Sequence, residues 1–356
     1  MPSIEGGGVE KNFFIVCNYL VHKVNSLKVI TVSKKYKKKF DKSIILVTPS
    51  SGIWDNFNRR VKYLIALILL IKEIIKDKNT IIFSFQANIY CILICKLFSI
   101  KVVTRSNTAP VGWSKNPIKR LIFKIVLSLS DKVMVNSIQF KKILKKDLNV
   151  NSECIYNPLN KKEIINQSKK SSRKIFKSGS KLKILNIGRF TDQKDQLTFL
   201  KSLNLIKDKI NFEACLVGRG KLKQKLEKYI LDNKLNHLVK ILNFTQNPYP
   251  LMKQANLLIL TSKYEGLPNV LLEALVLKKF IISSSCETGP KEILLNGNGG
   301  LLFKVGNYKE LAEKIIFYSM NKQKCKKLLN NSYKSLNRFD YKVNLSKYYK
   351  LINNFK

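Results

Sequence analysis

The stretch Thr261-Ser262-Lys263-Tyr264-Glu265-Gly266-Leu267-Pro268-Asn269-Val270-Leu271-Leu272-Glu273-Ala274-Leu275 joins an apolar run to a helical pattern. The apolar run ending at Thr261 predicts a buried strand, Gly266 and Pro268 predict a turn, and Asn269 predicts the cap of a helix. A strand, a turn and a helix in this order form the repeating unit of α/β proteins with parallel sheets. The helix N-terminus would present free N–H groups and a partial positive charge, which suits a diphosphate.

Two carboxylates stand eight residues apart in this stretch. Glu265 lies in the loop before the predicted helix and Glu273 lies one turn inside it, so both are expected to reach a ligand from one direction and to accept hydrogen bonds from sugar hydroxyls. Two glutamates at this spacing are most often a solvated helix face. Because the chain holds only 23 acidic residues and these two flank a strand, a turn and a helix, we favour the functional interpretation.

The same alternation of apolar runs and helical patterns extends through the whole chain. In the first half the predicted strands are 43–48, 80–85, 101–104, 132–136 and 154–156, with helices at 9–25, 57–76, 89–98, 115–130 and 137–146. In the second half the predicted strands are 183–187, 213–217, 239–243, 257–261 and 280–284, with helices at 194–207, 221–234, 249–254, 269–278, 289–295 and 307–329. The pattern predicts an α/β fold with two Rossmann-like, doubly wound domains that face each other across a cleft.

The boundary between these domains is predicted at Asn157-Pro158, where the first alternation ends. Residues 160–181 are polar, rich in Lys and Ser and without a period, which is typical of a linker. The predicted domains are therefore 1–159 and 182–335, followed by a C-terminal segment at 336–356.

A second polar cluster, Asn186 to Asp195, again follows a predicted strand. It contains Gly188, Arg189 and Lys194, and the two cations are expected to converge on a diphosphate and to neutralise a leaving group without a metal. Lys194 alone could equally be one more surface lysine among 58. Arg189 is harder to dismiss, because it is one of only eight arginines and follows Gly188 directly.

Two further loops follow strands of the second half. One contains Gly218 and the other contains Phe244 and Thr245. Because ligands of doubly wound sheets bind outside the carboxyl ends of the strands, both loops are candidates for bordering a nucleotide base.

The net charge of +43 is the most unusual feature of the composition. Such a charge usually suggests a nucleic-acid partner. Of the 66 basic residues, however, 58 are Lys, whereas base readout and bidentate phosphate clamps favour Arg. We therefore expect no nucleic acid and favour an anionic membrane surface, near which each Lys contributes about 1 kcal/mol. Residues 34–40, with five Lys and two aromatics, are the candidate docking segment, and a solvated loop is the alternative.

Cysteine usage and hydropathy predict a cytoplasmic protein. The seven cysteines are scattered singly, which fits a reducing compartment and gives no zinc-site spacing. No secretory signal pattern is visible. The most apolar stretch, 81–100, is interrupted by Gln86, Asn88 and Lys96 and is interpreted as a strand and a helix rather than a membrane span.

Four motifs together resemble a known family. Gly188-Arg189-x4-Lys194, Val217-Gly218-x-Gly220, Ser262-x-Tyr264-Glu265-Gly266-x-Pro268 with Glu273, and Gly289-Pro290-x-Glu292 occur in this order. Their order and spacing resemble the family 4 retaining glycosyltransferases, also called glycosyl transferases group 1. The resemblance implies a GT-B architecture, in which the C-terminal domain binds a nucleotide sugar, the N-terminal domain binds the acceptor, and a C-terminal helix crosses back onto the first domain.

The resemblance also implies roles for individual residues on the donor side. Arg189 and Lys194 would hold the diphosphate, and Glu265 would contact the donor sugar. Glu273 would accept hydrogen bonds from the ribose hydroxyls. Gly266 and Leu267 would offer backbone N–H groups.

On the acceptor side the sequence departs from the family. Gly7 and Gly8 resemble part of its glycine-rich loop, but many members also carry a His near the transferred sugar. This chain contains only His22 and His237, neither of which follows a suitable strand. Asn88 or Asn107 is therefore the candidate for a hydrogen-bonding role there. The front-face route proposed for the family, in which the departing phosphate oxygen takes the acceptor proton, needs no general base.

The start of the chain carries one further expectation. In the family the glycine-rich loop follows the first β-strand, whereas here Met1 to Glu5 provides no apolar strand before Gly6. We therefore expect the first strand of the N-terminal sheet to be missing from this sequence and to be encoded upstream of Met1, leaving neighbouring strands to close up or to show an open edge.

Together these observations predict a metal-independent retaining glycosyltransferase that needs no cofactor. Its donor would be a nucleoside diphosphate sugar, with UDP favoured over GDP. Its acceptor would be a lipid-linked, lipopolysaccharide or capsule glycan at the cytoplasmic face of the inner membrane. A nucleotide-sugar epimerase of the same fold and a non-catalytic basic binding protein are the alternatives. A GT-A enzyme is disfavoured because the sequence contains no Asp-x-Asp motif.

Overall fold

The computed structural model describes residues 1–108, 116–177, 179 and 181–355. Residue 115, the predicted start of one helix, lies outside them. The chain divides into two α/β units. The first comprises Met1–Pro158 with Tyr341–Lys356, and the second comprises Leu159–Asp340.

The first unit alternates short parallel strands with helices. Its strands are β1 (Lys28–Ile30), β2 (Ile45–Val47), β3 (Ile81–Ser84), β4 (Lys101–Ser106), β5 (Lys132–Val135) and β6 (Glu153–Cys154). Its helices are α1 (Gly8–Leu20), α2 (Arg59–Lys76), α3 (Asn88–Leu97), α4 (Pro117–Ser128), α5 (Ile138–Leu148) and, after the second unit, α14 (Tyr341–Asn353). Short 3-10 helices lie at Lys34–Lys39 and Ile53–Asn56. Strand β1 is not among the predicted strands, because a strand of three residues is too short to give a detectable period.

The sheet of the first unit is in two parts. Strands β1 and β2 form a parallel pair, and β3-β4-β5-β6 form a separate parallel sheet in that order. The residues at the start of the chain contact β1 of the first part and the loop that follows β3 of the second. The Met1 N-terminus donates to the Ile30 carbonyl at 2.9 Å, and the Ser3 amide donates to the Gln86 side chain at 3.3 Å. Ile4 is 1% exposed and belongs to the core.

Helix α14 completes this core. Leu345, Tyr348 and Leu351 are buried in it, and the Tyr348 and Phe83 ring centroids lie 6.0 Å apart. The predicted C-terminal segment at 336–356 therefore needs a correction at its start. Residues Ser335–Phe339 form a 3-10 helix that belongs to the second unit, and only the residues from Tyr341 belong to the first.

The second unit is a six-stranded parallel sheet in the order β12-β11-β10-β7-β8-β9. The strands are β7 (Leu182–Ile187), β8 (Phe212–Gly218), β9 (Val239–Asn243), β10 (Leu257–Leu260), β11 (Phe280–Ser284) and β12 (Leu301–Phe303). The helices are α6 (Lys161–Ser168), α7 (Gln196–Ile206), α8 (Lys223–Asp232), α9 (Tyr249–Gln254), α10 (Asn269–Val276), α11 (Pro290–Ile293), α12 (Tyr308–Met320) and α13 (Lys322–Lys334). The predicted α/β class with two Rossmann-like domains is confirmed.

The prediction of a linker between the domains at 160–181 is wrong, because these residues belong to the second unit. Helix α6 begins there after Asn160, whose side chain accepts a hydrogen bond from the Glu163 amide at 3.0 Å. Ile164, Ile175 and Phe176 are buried in the second unit. These few apolar residues are spaced too widely among Lys and Ser to give a visible period.

The single helix predicted at 307–329 is in fact two helices, because the chain turns at Asn321.

Candidate functional site

The strand order of the second unit fixes where a ligand can bind. From β7 the chain moves outward through β8 and β9, and it then crosses to β10 on the other side of β7. The direction of winding thus reverses between β7 and β10, which pair at Ile184 and Leu257. Open α/β sheets bind ligands at such a switch point, outside the carboxyl ends of the two strands. The loops that follow β7 and β10 contain both clusters identified in the sequence.

Lys194 and Glu265 meet at this switch point. The Lys194 Nζ lies 2.5 Å from the Glu265 Oε1, and the two side chains are 15% and 8% exposed. Backbone contacts fix both loops around the pair. The Thr261 hydroxyl donates to the Lys194 carbonyl at 2.9 Å, and the Gln193 side chain donates to the Tyr264 carbonyl at 3.0 Å. The site therefore presents a cation and a carboxylate in a nearly dry, fixed arrangement.

Arg189 lies in the same loop as Lys194, but its side chain is in a different environment. Its side chain is exposed, and its Nη2 donates to the Gln193 Oε1 at 3.3 Å. The Gln196 side chain in turn donates to the Arg189 carbonyl at 3.0 Å, which fixes the backbone there. Arg189 is therefore anchored through its backbone while its guanidinium remains accessible to an anion.

Two glycine contacts allow the loops to approach each other closely. Gly218, at the end of β8, lies so near Gly188 that a Cβ atom on it would overlap the Gly188 carbonyl oxygen. Gly289 has φ +82°, and a Cβ atom there would overlap the Gly266 carbonyl oxygen. The Thr288 hydroxyl also donates to the Glu265 carbonyl at 2.5 Å. The glycines of the motifs thus set the backbone positions on which Glu265 and the loop after β7 depend.

We expect the substitution Gly218→Ala to destabilise the chain by about 1–3 kcal/mol, because the added methyl group forces the loop after β7 away from β8. Thermal unfolding with and without UDP measures the effect. Gly52→Ala is the matched control, since no atom of the described residues would lie within 4 Å of the added methyl group. Equal melting temperatures for the two variants would contradict the close packing of Gly188 on Gly218.

Glu273, on α10, is the second buried carboxylate of the site after Glu265. Its side chain is 8% exposed, and its Oε1 accepts a hydrogen bond from the Tyr249 hydroxyl at 3.1 Å. Tyr249 is not identifiable from the sequence, because a tyrosine next to prolines and a turn carries no motif.

The prediction that Asn269 caps α10 is wrong. Pro268 stands at the cap position and Asn269 is the first helical residue. Gly266 and Leu267, which precede the helix, are both buried.

The loops after β8 and β9 lie next to each other. The Arg219 guanidinium lies over the Phe244 ring at 4.4 Å from its centroid, and Phe244 remains 39% exposed. The Thr245 hydroxyl donates to the Asn247 carbonyl at 3.3 Å within its own turn. A cation stacked on a half-exposed aromatic ring offers a flat surface to a planar ligand.

The thiol of Cys286 lies near Glu265. The Cys286 Sγ donates to the Ser262 carbonyl at 3.0 Å, and the residue is 1% exposed. Burial raises the pKa of Cys286 to about 12, and the nearby Glu265 also acts to raise it. The thiol is therefore neutral at physiological pH and a poor nucleophile. No group of three or more His, Cys, Asp or Glu side chains suited to a metal occurs among the described residues.

The acceptor-side candidates lie in the first unit. Gly7 and Gly8 form the start of α1. Asn88 and Asn107 follow β3 and β4, and the structure brings them together, since the Asn88 side chain donates to the Arg105 carbonyl at 3.0 Å and the Asn107 side chain to the Phe85 carbonyl at 3.0 Å. Both amide groups therefore hold neighbouring strand ends in place.

The segment 34–40 does not have the form of a lipid-inserting loop. Phe40 is 7% exposed and packs on Phe13 and Phe14, while the Tyr36 ring lies 6.2 Å from the Phe14 ring. Phe40 thus lies in the core and Tyr36 packs half-buried against it, while four of the five lysines are exposed. Elsewhere in the described part of the chain, no helix combines the length and the apolar character that crossing a membrane requires.

The second unit contains the part of the chain that matches a known protein family. Residues 167–335 match the family model "Glycosyl transferases group 1". An uncharacterized glycosyltransferase of Methanocaldococcus jannaschii is 32% identical over 223 residues, which cover 57% of this chain and about half (53%) of that relative. A Campylobacter jejuni GalNAc-alpha-(1->4)-GalNAc-alpha-(1->3)-diNAcBac-PP-undecaprenol alpha-1,4-N-acetyl-D-galactosaminyltransferase is 24% identical and covers 99% of this chain and 96% of its own.

The fold is shared with solved GT-B glycosyltransferase structures. The Anabaena protein Alr3699/HepE, crystallised in complex with UDP, superposes with a TM-score of 0.76 at 15% identity, covering 98% of this chain and 97% of its own. This likeness extends over both units of the chain. The domain at residues 167–335, which contains the switch-point site, is therefore a glycosyl transferases group 1 domain, and the chain has the GT-B fold of its structural neighbours.

Proposed function

We propose that the chain is a retaining glycosyltransferase that moves a sugar from a UDP-sugar to a lipid-linked or cell-envelope glycan acceptor at the cytoplasmic face of a membrane. The observation that carries the proposal is the Lys194–Glu265 pair at the switch point of the second unit, flanked by the accessible guanidinium of Arg189. A cation for a phosphate and a carboxylate for a sugar hydroxyl are the two contacts that a sugar diphosphate needs.

The donor half of the proposal follows from this arrangement. Lys194 and Arg189 would bind diphosphate oxygens and stabilise the negative charge that develops on the departing phosphate. Glu265 would accept a hydrogen bond from a donor-sugar hydroxyl and Glu273 from the ribose. UDP is the preferred nucleotide because the structural neighbour HepE was crystallised with it.

The acceptor half draws on the C. jejuni relative, whose name specifies an undecaprenol-diphosphate glycan. In the proposed reaction the acceptor oxygen bonds to the anomeric carbon on the face from which UDP departs, and its proton passes to the departing phosphate oxygen. The bond between the anomeric carbon and the phosphate oxygen breaks, so the configuration is retained and no protein base is required.

The experiment that tests this function combines the chain with a panel of UDP- and GDP-sugars and a short lipid-linked glycan. We expect one UDP-sugar to give a glycosylated product with the anomeric configuration of the donor, read by nuclear magnetic resonance. UDP at 100 times its dissociation constant should also add about 2.7 kcal/mol of stability. A product that forms without any acceptor would identify an epimerase, and binding without turnover would identify a non-catalytic protein.

Transfer should persist in EDTA, because Arg189 and Lys194 supply the positive charge that a metal supplies elsewhere. The measurement is the initial rate with EDTA compared with the rate in added Mg²⁺ or Mn²⁺. Complete loss of transfer in EDTA that either ion restores would overturn the proposed leaving-group chemistry.

A further inference from the structure

Helix α4 of the first unit carries an apolar face that none of the described residues covers. Ile118, Leu121, Ile122 and Ile125 are 67%, 55%, 47% and 54% exposed. Their spacing places them in one stripe along the helix. Leu127, on the opposite side of the helix, and Val126, at the edge of the stripe, are buried in the core of the first unit.

The stripe continues onto the neighbouring helix. Helix α3 packs against α4, and its residues Tyr90, Leu93 and Leu97 are 55%, 47% and 80% exposed. These three residues follow the same helical spacing. Single exposed apolar residues are common, but seven of them on the regularly spaced faces of two adjacent helices are unusual and point to an interaction site.

The next helix along the sheet is basic. Helix α5 lies beside α4, where the Arg120 Nη2 is 3.4 Å from the Asp147 Oδ2. Lys141, Lys142, Lys145 and Lys146 of α5, with Lys347 of α14, line a pocket of about 730 Å³. Among the described residues, Glu153 is the only acidic side chain of that lining, and none of the five lysines forms an ion pair.

Topology places helices α3, α4 and α5 on one side of the sheet, and the lysine-lined pocket lies between α5, the edge strand β6 and α14. Strands β3, β4, β5 and β6 are neighbours in chain order, so the three crossovers through α3, α4 and α5 run in one direction and share one hand. Helices connected in this way lie on the same face of the sheet. In agreement, buried residues of all three helices belong to one core cluster.

We propose that the outer face of α3, α4 and α5 is a docking surface for an anionic phospholipid membrane. The apolar side chains of α3 and α4 enter the boundary between headgroups and acyl chains, and the α5 lysines and their pocket bind anionic headgroups. Charge complementarity selects this occupant, because α3 and α4 carry no acidic residue and the uncompensated charge is on lysines, whose flexible stems suit a lipid surface. The docking surface deepens the proposed function, since it would hold the enzyme beside a lipid-linked acceptor.

The test uses the full chain and vesicles of phosphatidylcholine alone or mixed with phosphatidylglycerol, with binding read by co-sedimentation. We expect binding to the mixed vesicles that weakens with salt. Leu121→Gln with Ile125→Gln should reduce it at least about 10-fold, because both side chains leave the interface. Lys142→Ser with Lys145→Ser and Lys146→Ser should reduce it by about 100-fold at low salt.

Matched controls separate docking from the general attraction of a highly basic protein. Leu231→Gln with Met320→Gln removes two apolar residues of the second unit that are more exposed than Leu121 and Ile125, and Lys324→Ser with Lys326→Ser and Lys327→Ser removes the same charge from α13. We expect both controls to bind like the wild type. Controls that lose as much binding as the docking variants, or docking variants that bind normally, would overturn the proposal. So would an apolar variant that changes the oligomeric state and leaves vesicle binding intact.

Stabilisation by UDP is measured on every variant, because the docking residues lie in the first unit and the donor site in the second. We expect the same UDP-induced shift in melting temperature throughout. If the wild type shows no shift with UDP but still binds the mixed vesicles through this face, the proposed function fails and the docking surface stands.

Discussion

Turnover should fall by about 100-fold or more when Lys194 is replaced by Ala, the scale expected when one preorganised charge stabiliser is removed. The Lys194 ammonium lies 2.5 Å from Glu265 in a site with little exposure, so water cannot easily substitute for it. The effect should appear in kcat, because the charge on the departing phosphate develops during the reaction. Steady-state kinetics with the best UDP-sugar measures it, and Lys228→Ala on the exposed face of α8 is the matched control.

A loss of activity in Lys194→Ala could also reflect a loss of stability, because the variant leaves Glu265 without its cation. Breaking a fully buried pair costs about 3–5 kcal/mol. The double variant Lys194→Gln with Glu265→Gln removes both charges and should recover most of the stability while remaining inactive. If the double variant recovers activity together with stability, Lys194 has a structural role and not a catalytic one.

Arg189→Ala provides an independent measurement. The Arg189 side chain is exposed, so the substitution should leave the melting temperature unchanged. Turnover should nevertheless fall by about 100-fold, since the guanidinium is proposed to bind the same diphosphate. A variant with wild-type kcat would remove Arg189 from the leaving-group site and leave Lys194 as its cation.

The sequence predicts β7 to β11 of the second unit because these strands are apolar and alternate with helical patterns, whereas β12, with three residues, is too short to be detected. Each candidate loop follows from the rule that ligands bind after strands. Strand order, however, depends on long-range pairing and cannot be inferred from the alternation alone. That β7 lies beside β10, and hence that Lys194 meets Glu265, is known only from the structure.

Several features of the first unit cannot be predicted from the sequence pattern. Its sheet is divided, and β1 is too short to give a period. Helix α4 has apolar residues on both its buried and its exposed faces, and a sequence does not tell which of two apolar faces meets the core. The composition of segment 34–40 suggests a lipid-docking loop, but its aromatics are needed in the core. The docking surface on α3, α4 and α5 therefore becomes visible only when exposure is measured residue by residue.

Donor affinity should fall by about 10- to 150-fold in Glu273→Gln, because charge-assisted hydrogen bonds contribute about 1.5–3 kcal/mol. Glu273 is 8% exposed on α10 and is proposed to accept from the ribose hydroxyls, which are bound equally before and during the reaction. The substitution should therefore raise the dissociation constant of UDP and the KM of the donor with little change in kcat. Isothermal titration calorimetry with UDP and steady-state kinetics measure the two quantities.

Tyr249 distinguishes a ribose ligand from a merely structural carboxylate. Its hydroxyl donates to the Glu273 Oε1 at 3.1 Å, so Tyr249→Phe removes one neutral donor and leaves the charge in place. We expect UDP affinity to fall only about 2- to 10-fold in this variant, because a typical hydrogen bond contributes about 0.5–1.5 kcal/mol. Glu313→Gln, an exposed glutamate on α12, should have no effect. If Glu273→Gln lowers the melting temperature but binds UDP like the wild type, Glu273 supports α9 and α10 through Tyr249 and does not bind the ribose.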